Sequence, residues 1–405
     1  MSPIQPPSNQ AGTSVPVRGE SGEALSPELR PQQPRVVVVE RPSGLGAYLA
    51  EWDELTRNAV EPNIFYESWM LIPAWEELAA PTVRVALVFG QAEDDSRIQL
   101  IGLFPLVSSK GYRRFPVSVI SLWRHLHCPL CTPLVRKGSE QQALGGFFQW
   151  LDSADGGDDL VEFEHIAGDG PFYEHLERFL IATGRRYIEG DRFERAVLRP
   201  NSDGKAYIEH ALAGKRRKEL RRQFNRLSEL GRLEIVELRS EDSINSWLEQ
   251  YFNLEMVSWK GKAGTALSVR QGERSYFERI SRSAFERGQL MMLKMQLDSV
   301  PIAMKYNFMA GDGAYSAKIA FDEKYHQYSP GVQLELQNII AVHDRQTIRW
   351  MDSCAMPNHF MIERLWTERR LLRSLAVSRK HLKGDIVLRL LPFLERVYRK
   401  FKRKE

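Results

Sequence analysis

The chain carries one ordered pattern twice. From residue 35, a strand ("RVVVVE") leads to a helix over residues 45–57, then to a strand pair around the polar turn "QAEDDSR". A third strand is predicted in "HLHCPLCTPLV", followed by helix "EQQALGGFFQWLD", strand "DLVEFEHIA", helix "PFYEHLERFLIATG" and a closing strand in "RYIEGDRFERAVLRP". After a long basic helix, "LAGKRRKELRRQFNRLSELG", the order returns. It runs through strand "RLEIVELR", helix "SINSWLEQYFNLEMVSW", strands "QLMMLKMQL", "PIAMKYNFMA" and "GAYSAKIAF", helix "SPGVQLELQNIIAVHD", strand "TIRWMD", helix region "NHFMIERLWTERR" and strand "LLRSLAV". The halves share layout rather than residues, so the repeat is one of pattern. Strands and helices in this order pack as a mixed sheet flanked by helices, an α/β fold in two tandem lobes. The expected divisions are 1–34, 35–204, 205–378 and 379–405.

Residues 1–34 are rich in Pro, Ser, Gly and Gln and have little to bury, so disorder is expected there. With 43% hydrophobic residues the remainder can build a sizeable core. No apolar run approaches the roughly 20 residues of a membrane-spanning helix. The N-terminus lacks the basic and apolar regions of a secretory signal, and three cysteines are too few and odd for a disulfide framework. A cytoplasmic protein is the expectation. A net charge of +4 excludes a basic nucleic-acid coat.

The stretch "YHQYSPGVQLELQNII" holds the sharpest local signal. Ser329 is a strong helix cap by type, Pro330 suits the first helical position, and Val332, Leu336, Ile339, Ile340 and His343 follow at helical spacing. A helix start explains all of this. The same start also offers free N–H groups and a partial positive charge to a phosphate, with Gly331 allowing close approach. Asp352 follows "TIRW" at the C-terminal end of a strand, where ligands gather in open α/β sheets; it is either a turn aspartate or a base. Lys318 and Asp322 flank the end of "AYSAKIAF", as a strand-end salt pair or as part of a cleft. Tyr325 and Tyr328 are either packing residues or proton donors. Backbone N–H groups near Ile319 and Ala320 could polarise a carbonyl.

Lys215, Arg216, Arg217, Lys218, Arg221, Arg222 and Arg226 make a dense basic run, off the Leu220/Phe224/Leu227 stripe. It is either a solvated face or a phosphate-binding one. Without interleaved aromatics it gives no support to sequence-specific nucleic-acid reading. "HLHCPLC" places His125, His127, Cys128 and Cys131 within seven residues on an expected strand, where alternation separates neighbours, so no metal site is expected. Cys354 has no His at useful spacing for a nucleophile. The basic tail from Arg379 carries Leu390, Leu394, Val397 and Phe401 on one stripe, either docked on the body or resting on anionic lipid.

From about residue 205 to 376 the chain resembles the acyltransferase domain of the GNAT superfamily, in the branch of CelD/BcsL-type cellulose-biosynthesis proteins, related to Fem-type aminoacyltransferases. The resemblance rests on "GKRRKELRRQFNRLSELG", "SWKGKAGTALS", "AKIAFDEKYHQYSPGVQLELQNI" and, more loosely, "IRWMDSCAMPNHFMIERLW". The first half resembles a degenerate second copy of that fold. The resemblance implies acyl transfer, usually acetyl, from acetyl-CoA or another acyl-CoA to an amine or hydroxyl acceptor, by direct attack on the thioester and without a metal. The implied donor site comprises Ser329, Gly331, Val332, Lys318, Ile319 and Ala320. The implied catalytic groups are Asp352, Tyr325 and Tyr328, and the acceptor side takes Asp322, Trp259, Lys260, Arg217 and Arg221. The Gln/Arg-x-x-Gly-x-Gly/Ala signature of the superfamily is absent. Two alternatives follow: tRNA-dependent aminoacyl transfer, favoured by the basic helix, and a non-catalytic scaffold in a polysaccharide-export assembly, favoured by the missing signature. Exopolysaccharide or envelope biosynthesis is the implied setting, with the tail as a peripheral contact to a membrane or polysaccharide synthase.

Overall fold

The computed structural model describes residues 33–78, 82–92, 95–113, 115–153, 158–200, 203–379, 383–391 and 393. The expected disorder of residues 1–34 concerns, for residues 1–32, a segment outside the described residues. Leu394, Val397 and Phe401 of the tail stripe also lie outside them. Among the described residues no helix is long and apolar enough to cross a membrane.

The first half supplies strands β1 (Arg35–Val39), β2 (Val83–Ala92), β3 (Asp95–Tyr112), β4 (Phe115–Leu122), β5 (Leu134–Val135), β6 (Leu160–Ala167) and β7 (Tyr187–Leu198). Its helices are α1 (Leu49–Arg57), α2 (Ser68–Leu78), α3 (Glu140–Asp152) and α4 (Pro171–Ala182). Then come α5 (Gly204–Ala211), the basic helix α6 (Gly214–Ser228), β8 (Leu233–Glu237), α7 (Ile244–Val257), α8 (Trp259–Lys262) and α9 (Gln271–Glu286). The chain closes with β9 (Leu290–Leu297), β10 (Val300–Ala310), β11 (Gly313–Phe321), α10 (Pro330–Asp344), β12 (Trp350–Asp352), α11 (Ile362–Leu365) and β13 (Glu368–Ser378).

All thirteen strands belong to one mixed sheet, in the order β1-β2-β3-β4-β6-β13-β7-β12-β11-β10-β9-β8, with β5 paired to β3. The repeated layout is present, but the halves exchange strands. The stretch "LLRSLAV", read as the last strand of the second half, lies in β13 between β6 and β7, antiparallel to both. In return β7, from the first half, pairs with β12 of the second. Each half therefore completes its hydrogen-bond ladder only with a strand from the other.

Two local readings are corrected. "HLHCPLCTPLV" is mostly irregular, because Pro129 and Pro133 cannot donate to a ladder; only Leu134–Val135 is extended. The strand that follows β3 is "FPVSVISL", whose Val117, Val119 and Ile120 are buried. The basic helix behaves as its pattern requires: Leu220 and Leu227 are buried, and the cations point away.

The core crosses the boundary between the halves. The Phe65 ring meets Tyr315 edge-on at 5.2 Å, and Trp69 lies 6.1 Å from Phe308. Helix α2 packs on α9, where the Tyr276 hydroxyl donates to Met70 Sδ at 3.0 Å. Aromatic burial of this kind fixes how the two halves of the sheet meet, and so fixes the cleft described next.

Candidate active site

Strands β11 and β12 are parallel and pair only over Gly313–Tyr315 against Trp350–Asp352. Beyond that point β12 ends, β11 runs on to Phe321, and the two chains part. A cavity of about 440 Å³ opens between them. One wall is β11 from Ser316 to Phe321. The facing wall is Ser353–Ala355 and His359–Ile362. The N-terminus of α10 closes one end, and Ser258, Trp259 and Lys260 form the rim.

The β11 wall presents backbone polar groups to this space. Tyr306 of β10 pairs with Lys318 and Asn307 pairs with Ser316, so Ala317 is the extra residue of a bulge. After the bulge, Asp322 N–H donates to Ile302 O at 2.9 Å. Counting back along an extended strand, Ala320 and Lys318 also turn their N–H and C=O toward β10, while Ile319 turns both toward the open edge. The Lys260 ammonium reaches Ile319 O from that side at 2.9 Å, in agreement. The Ile319 N–H therefore faces the cavity. Of the pair named from sequence, Ile319 is placed to donate and Ala320 is not.

At the closed end the sequence expectation of a Ser329 cap is overturned. Ser329 sits in the left-handed region (φ 53°, ψ 48°), and its hydroxyl makes no capping bond. Such backbone strain costs on the order of 1–3 kcal/mol and clusters at ligand sites. Pro330 has no N–H, and the first intrahelical bond is donated by Gln333 to Ser329 O at 3.0 Å. The amides of Gly331 and Val332 precede that bond and lie at the cavity, with the positive end of the helix dipole behind them. A Cβ on Gly331 would stand 3.1 Å from Phe321 Cδ1. The bare backbone is what keeps this end of the cleft open.

Three lysines line the cavity. Lys305 pairs with Glu335 at 2.7 Å and donates to Ser316 Oγ at 2.8 Å. Glu335 also receives Asn338 Nδ2 at 3.0 Å and Trp366 Nε1 at 3.2 Å, and Asn338 accepts from Asn307 at 2.8 Å. This buried polar stripe on α10 was missed from sequence. Its signal was Glu335 and Asn338 standing three apart among the apolar positions of "LELQNII". Lys260 pairs with buried Glu255 at 2.8 Å. Among the described residues Lys318 has no carboxylate within ion-pairing distance; its ammonium lies 5.8 Å from the Phe277 ring. Burial and then the Lys260 charge hold the Lys318 amine below its ordinary value.

Several candidates lie elsewhere. Asp352 is fully buried, bonded to Arg195 at 2.7 Å and Arg370 at 3.1 Å, and its other oxygen accepts from Cys354 N at 2.9 Å. Burial alone would raise its pKa, but the two guanidiniums prevail and hold it low. It does not line the cavity. It turns the chain after β12 so that residues 353–362 become the facing wall. Tyr325 and Tyr328 are half-buried on the short 3-10 helix before α10, packed against the core beside α6, and His326 lines the cavity instead. Asp322 caps a short 3-10 helix by accepting from Lys324 N at 2.9 Å. Arg217 pairs with Glu209 at 3.1 Å and Arg221 is exposed; neither lines the cavity, though α6 abuts α10 where Gln333 Nε2 donates to Leu220 O at 2.7 Å. Trp259, Lys260, Lys318, Ile319, Ala320, Ser329, Gly331 and Val332 all lie on the cavity.

"HLHCPLC" has another use. His127 Nε2 lies 3.2 Å from Glu273 of α9, and its ring stacks on Tyr276 at 5.8 Å. Burial, then the charge of Lys318, pushes the imidazole down to about 3, so it is neutral. Among the described residues no group of three or more His, Cys, Asp or Glu is arranged to hold a metal ion. The Cys354 thiol is raised by burial and by Asp352, away from nucleophile duty. His127, Tyr276, Phe277, Phe65 and Phe308 line a second cavity of about 140 Å³, which shares Ala317, Lys318 and Cys354 with the first.

Residues 214–360 match the family model of the acetyltransferase (GNAT) domain. No curated protein matches the chain in sequence. Among solved structures, FemX is 10% identical, with a TM-score of 0.54 over 80% of this chain and 95% of that one. A conserved protein of unknown function from Bacteroides thetaiotaomicron VPI-5482 is also 10% identical, with a TM-score of 0.50 over 82% and 97%. A tandem GNAT protein from the clavulanic acid biosynthesis pathway is 13% identical, with a TM-score of 0.42 over 85% and 98%. The matched domain begins at α6 and spans β11, α10 and β12, ending two residues short of Ile362 on the cavity's facing wall.

Proposed function

We propose that the protein transfers an acyl group from acyl-CoA to an amine or hydroxyl acceptor. One observation carries this reading: parted strands β11 and β12 enclose a cavity with a cavity-facing strand amide midway and uncapped helix amides at its end. The match of residues 214–360 to an acetyltransferase (GNAT) domain supports acyl transfer as the reaction class.

The donor's diphosphate would meet the Gly331 and Val332 amides, and its pantetheine arm would run along the open edge of β11, as an added strand does. The thioester oxygen then comes within reach of the Ile319 N–H. The acceptor's nitrogen or oxygen attacks the thioester carbon, the new bond forms, and negative charge collects on the carbonyl oxygen where that N–H stands. The C–S bond breaks as the carbonyl reforms. The proton lost by the acceptor balances the one gained by the departing thiol. No acyl group rests on the protein, consistent with the half-buried Cys354, whose thiol is held above its ordinary value. Catalysis rests on placement and on a fixed backbone dipole. The setting proposed, on sequence resemblance alone, is exopolysaccharide or cell-envelope biosynthesis.

The test is calorimetric titration of acetyl-CoA into the full chain, paired with thiol release on adding amine and hydroxyl acceptors. Saturable binding near one per chain is expected. No binding of acetyl-CoA or of longer acyl-CoAs would leave the scaffold reading in its place.

A further inference from the structure

The geometry points to Lys318 as the recognition residue for a carboxylate on the acceptor, with the second cavity taking the acceptor's apolar body. This rests on the acyl-transfer reading and names the substrate class of that same site.

The charge balance of the cleft carries the argument. Lys260 and Lys305 each hold a buried carboxylate, at 2.8 Å and 2.7 Å. Lys318 holds none. Of the carboxylates whose charge reaches it, Glu255 is taken by Lys260 and by Leu267 N at 2.8 Å. Glu273 is taken by His127 and by Arg270 at 2.8 Å. One positive charge is left over in a half-buried wall. A cation withdrawn from water without a partner is unfavourable, and an incoming anion relieves that cost.

Position separates this anion from the donor's phosphates. Lys318 stands three residues before Phe321, the residue that abuts Gly331. Along an extended strand that is about 10 Å from the helix end. Lys318 instead follows the bulge at Ala317, and its side chain lines both cavities. Beyond the shared residues, the second cavity is lined by the Phe65, Tyr276, Phe277 and Phe308 rings and neutral His127, with aliphatic side chains such as Met70 and Ile280 between them. A space of about 140 Å³ suits a group the size of one side chain. The acceptor class is thus a small amine or alcohol that bears a carboxylate beside an apolar or aromatic body, as an apolar amino acid does.

The experiment uses matched acids and amides: L-phenylalanine against L-phenylalaninamide, and L-leucine against L-leucinamide. Each is titrated by calorimetry into the full chain saturated with CoA, for the wild type, Lys318→Met and Lys318→Arg. Melting temperatures of the variants confirm that they fold. The wild type should prefer each acid at least tenfold; Lys318→Met should lose the preference and Lys318→Arg should keep most of it. No acid preference in the wild type, or a preference surviving in Lys318→Met, overturns the inference. Acid preference in a protein that does not bind CoA overturns the acyl-transfer reading and leaves carboxylate recognition standing.

Discussion

The Arg195 guanidinium lies 2.7 Å from the Asp352 carboxylate, and neither is open to solvent. Arg195 belongs to β7, the strand lent by the first half, and Asp352 ends β12 of the second. Arg370 of β13, the strand lent in return, completes the group at 3.1 Å. A buried ion group thus sits where the two exchanged strands meet, and it also sets the turn into the cavity's far wall.

Replacing Asp352 by Asn should therefore act on stability before chemistry. Arg195 loses its buried counter-charge and Arg370 is left with Glu61, at 3.4 Å; removing one partner of a buried pair costs about 3–5 kcal/mol. Because Asp352 is held below its ordinary value, its contribution is present above the unfolded carboxylate pKa of about 3.9 and is lost as pH falls through the folded value. Urea melts of the wild type and Asp352→Asn at pH 7 and at about pH 2.5 check this, with the gap between the two narrowing at the lower value. An unchanged midpoint at pH 7 with transfer abolished would return Asp352 to the role of base.

Gly331→Ala separates helix start from phosphate site. Alanine favours the helix by about 1 kcal/mol, but its Cβ would press on Phe321 at 3.1 Å. The two effects oppose, so the melting temperature should move by only a few degrees. Affinity for acetyl-CoA should fall about tenfold or more, because the methyl stands where the backbone must be approached. Equal affinity by calorimetry would reduce this stretch to a helix start.

The sequence made the second half's cleft partly legible. The "YHQYSPG" block marks the start of α10, and "TIRWMD" marks the end of β12, because caps, prolines and strand ends are local signals. What it hid depends on pairing. The bulge at Ala317 exists only in register with Tyr306 and Asn307. The exchange of β7 and β13 is a choice among partners that no local pattern distinguishes. His127 finds Glu273 from 146 residues away. For Asp352 and the two tyrosines the position on an element was readable but the side-chain direction was not: Arg195 of the first half turns Asp352 inward, and the tyrosines pack on the core beside α6.

Glu67 gives a pH signature independent of the cleft. Burial raises its carboxyl to about 7, against the donors Trp69 Nε1 at 2.8 Å and Gln289 Nε2 at 3.2 Å. A raised acid favours the folded state while protonated, so stability is full below about pH 4.5 and declines as pH rises through about 7. Glu67→Gln keeps the acceptor oxygen and removes the charge. It should stabilise the protein at pH 8, by an amount on the order of 3 kcal/mol, and do little at pH 5. Thermal melts across that range measure it; a variant equally shifted at both values would refute the assignment.

Ile319→Pro tests the backbone dipole at the centre of the proposed chemistry. Proline removes one N–H and leaves the carbonyl that Lys260 holds. On this strand the Ile319 N–H does not enter the ladder with β10, so its loss should spare the fold, as proline is tolerated where a strand's N–H faces outward. Removing one donor to a developing oxyanion lowers kcat by roughly 10²–10³. The KM for acetyl-CoA should stay within a few-fold, since the phosphates bind at the far end. Ala320→Pro is the contrast: its N–H does turn to β10, and that variant should lose stability outright. Ile319→Ala controls for the side chain and should keep near-normal kcat. Thiol-release kinetics and melting curves on the three variants decide the matter. If Ile319→Pro turns over like Ile319→Ala, the oxyanion is held by some other group. If Ile319→Pro unfolds like Ala320→Pro, the alternation counted back from Asp322 and Ile302 is wrong.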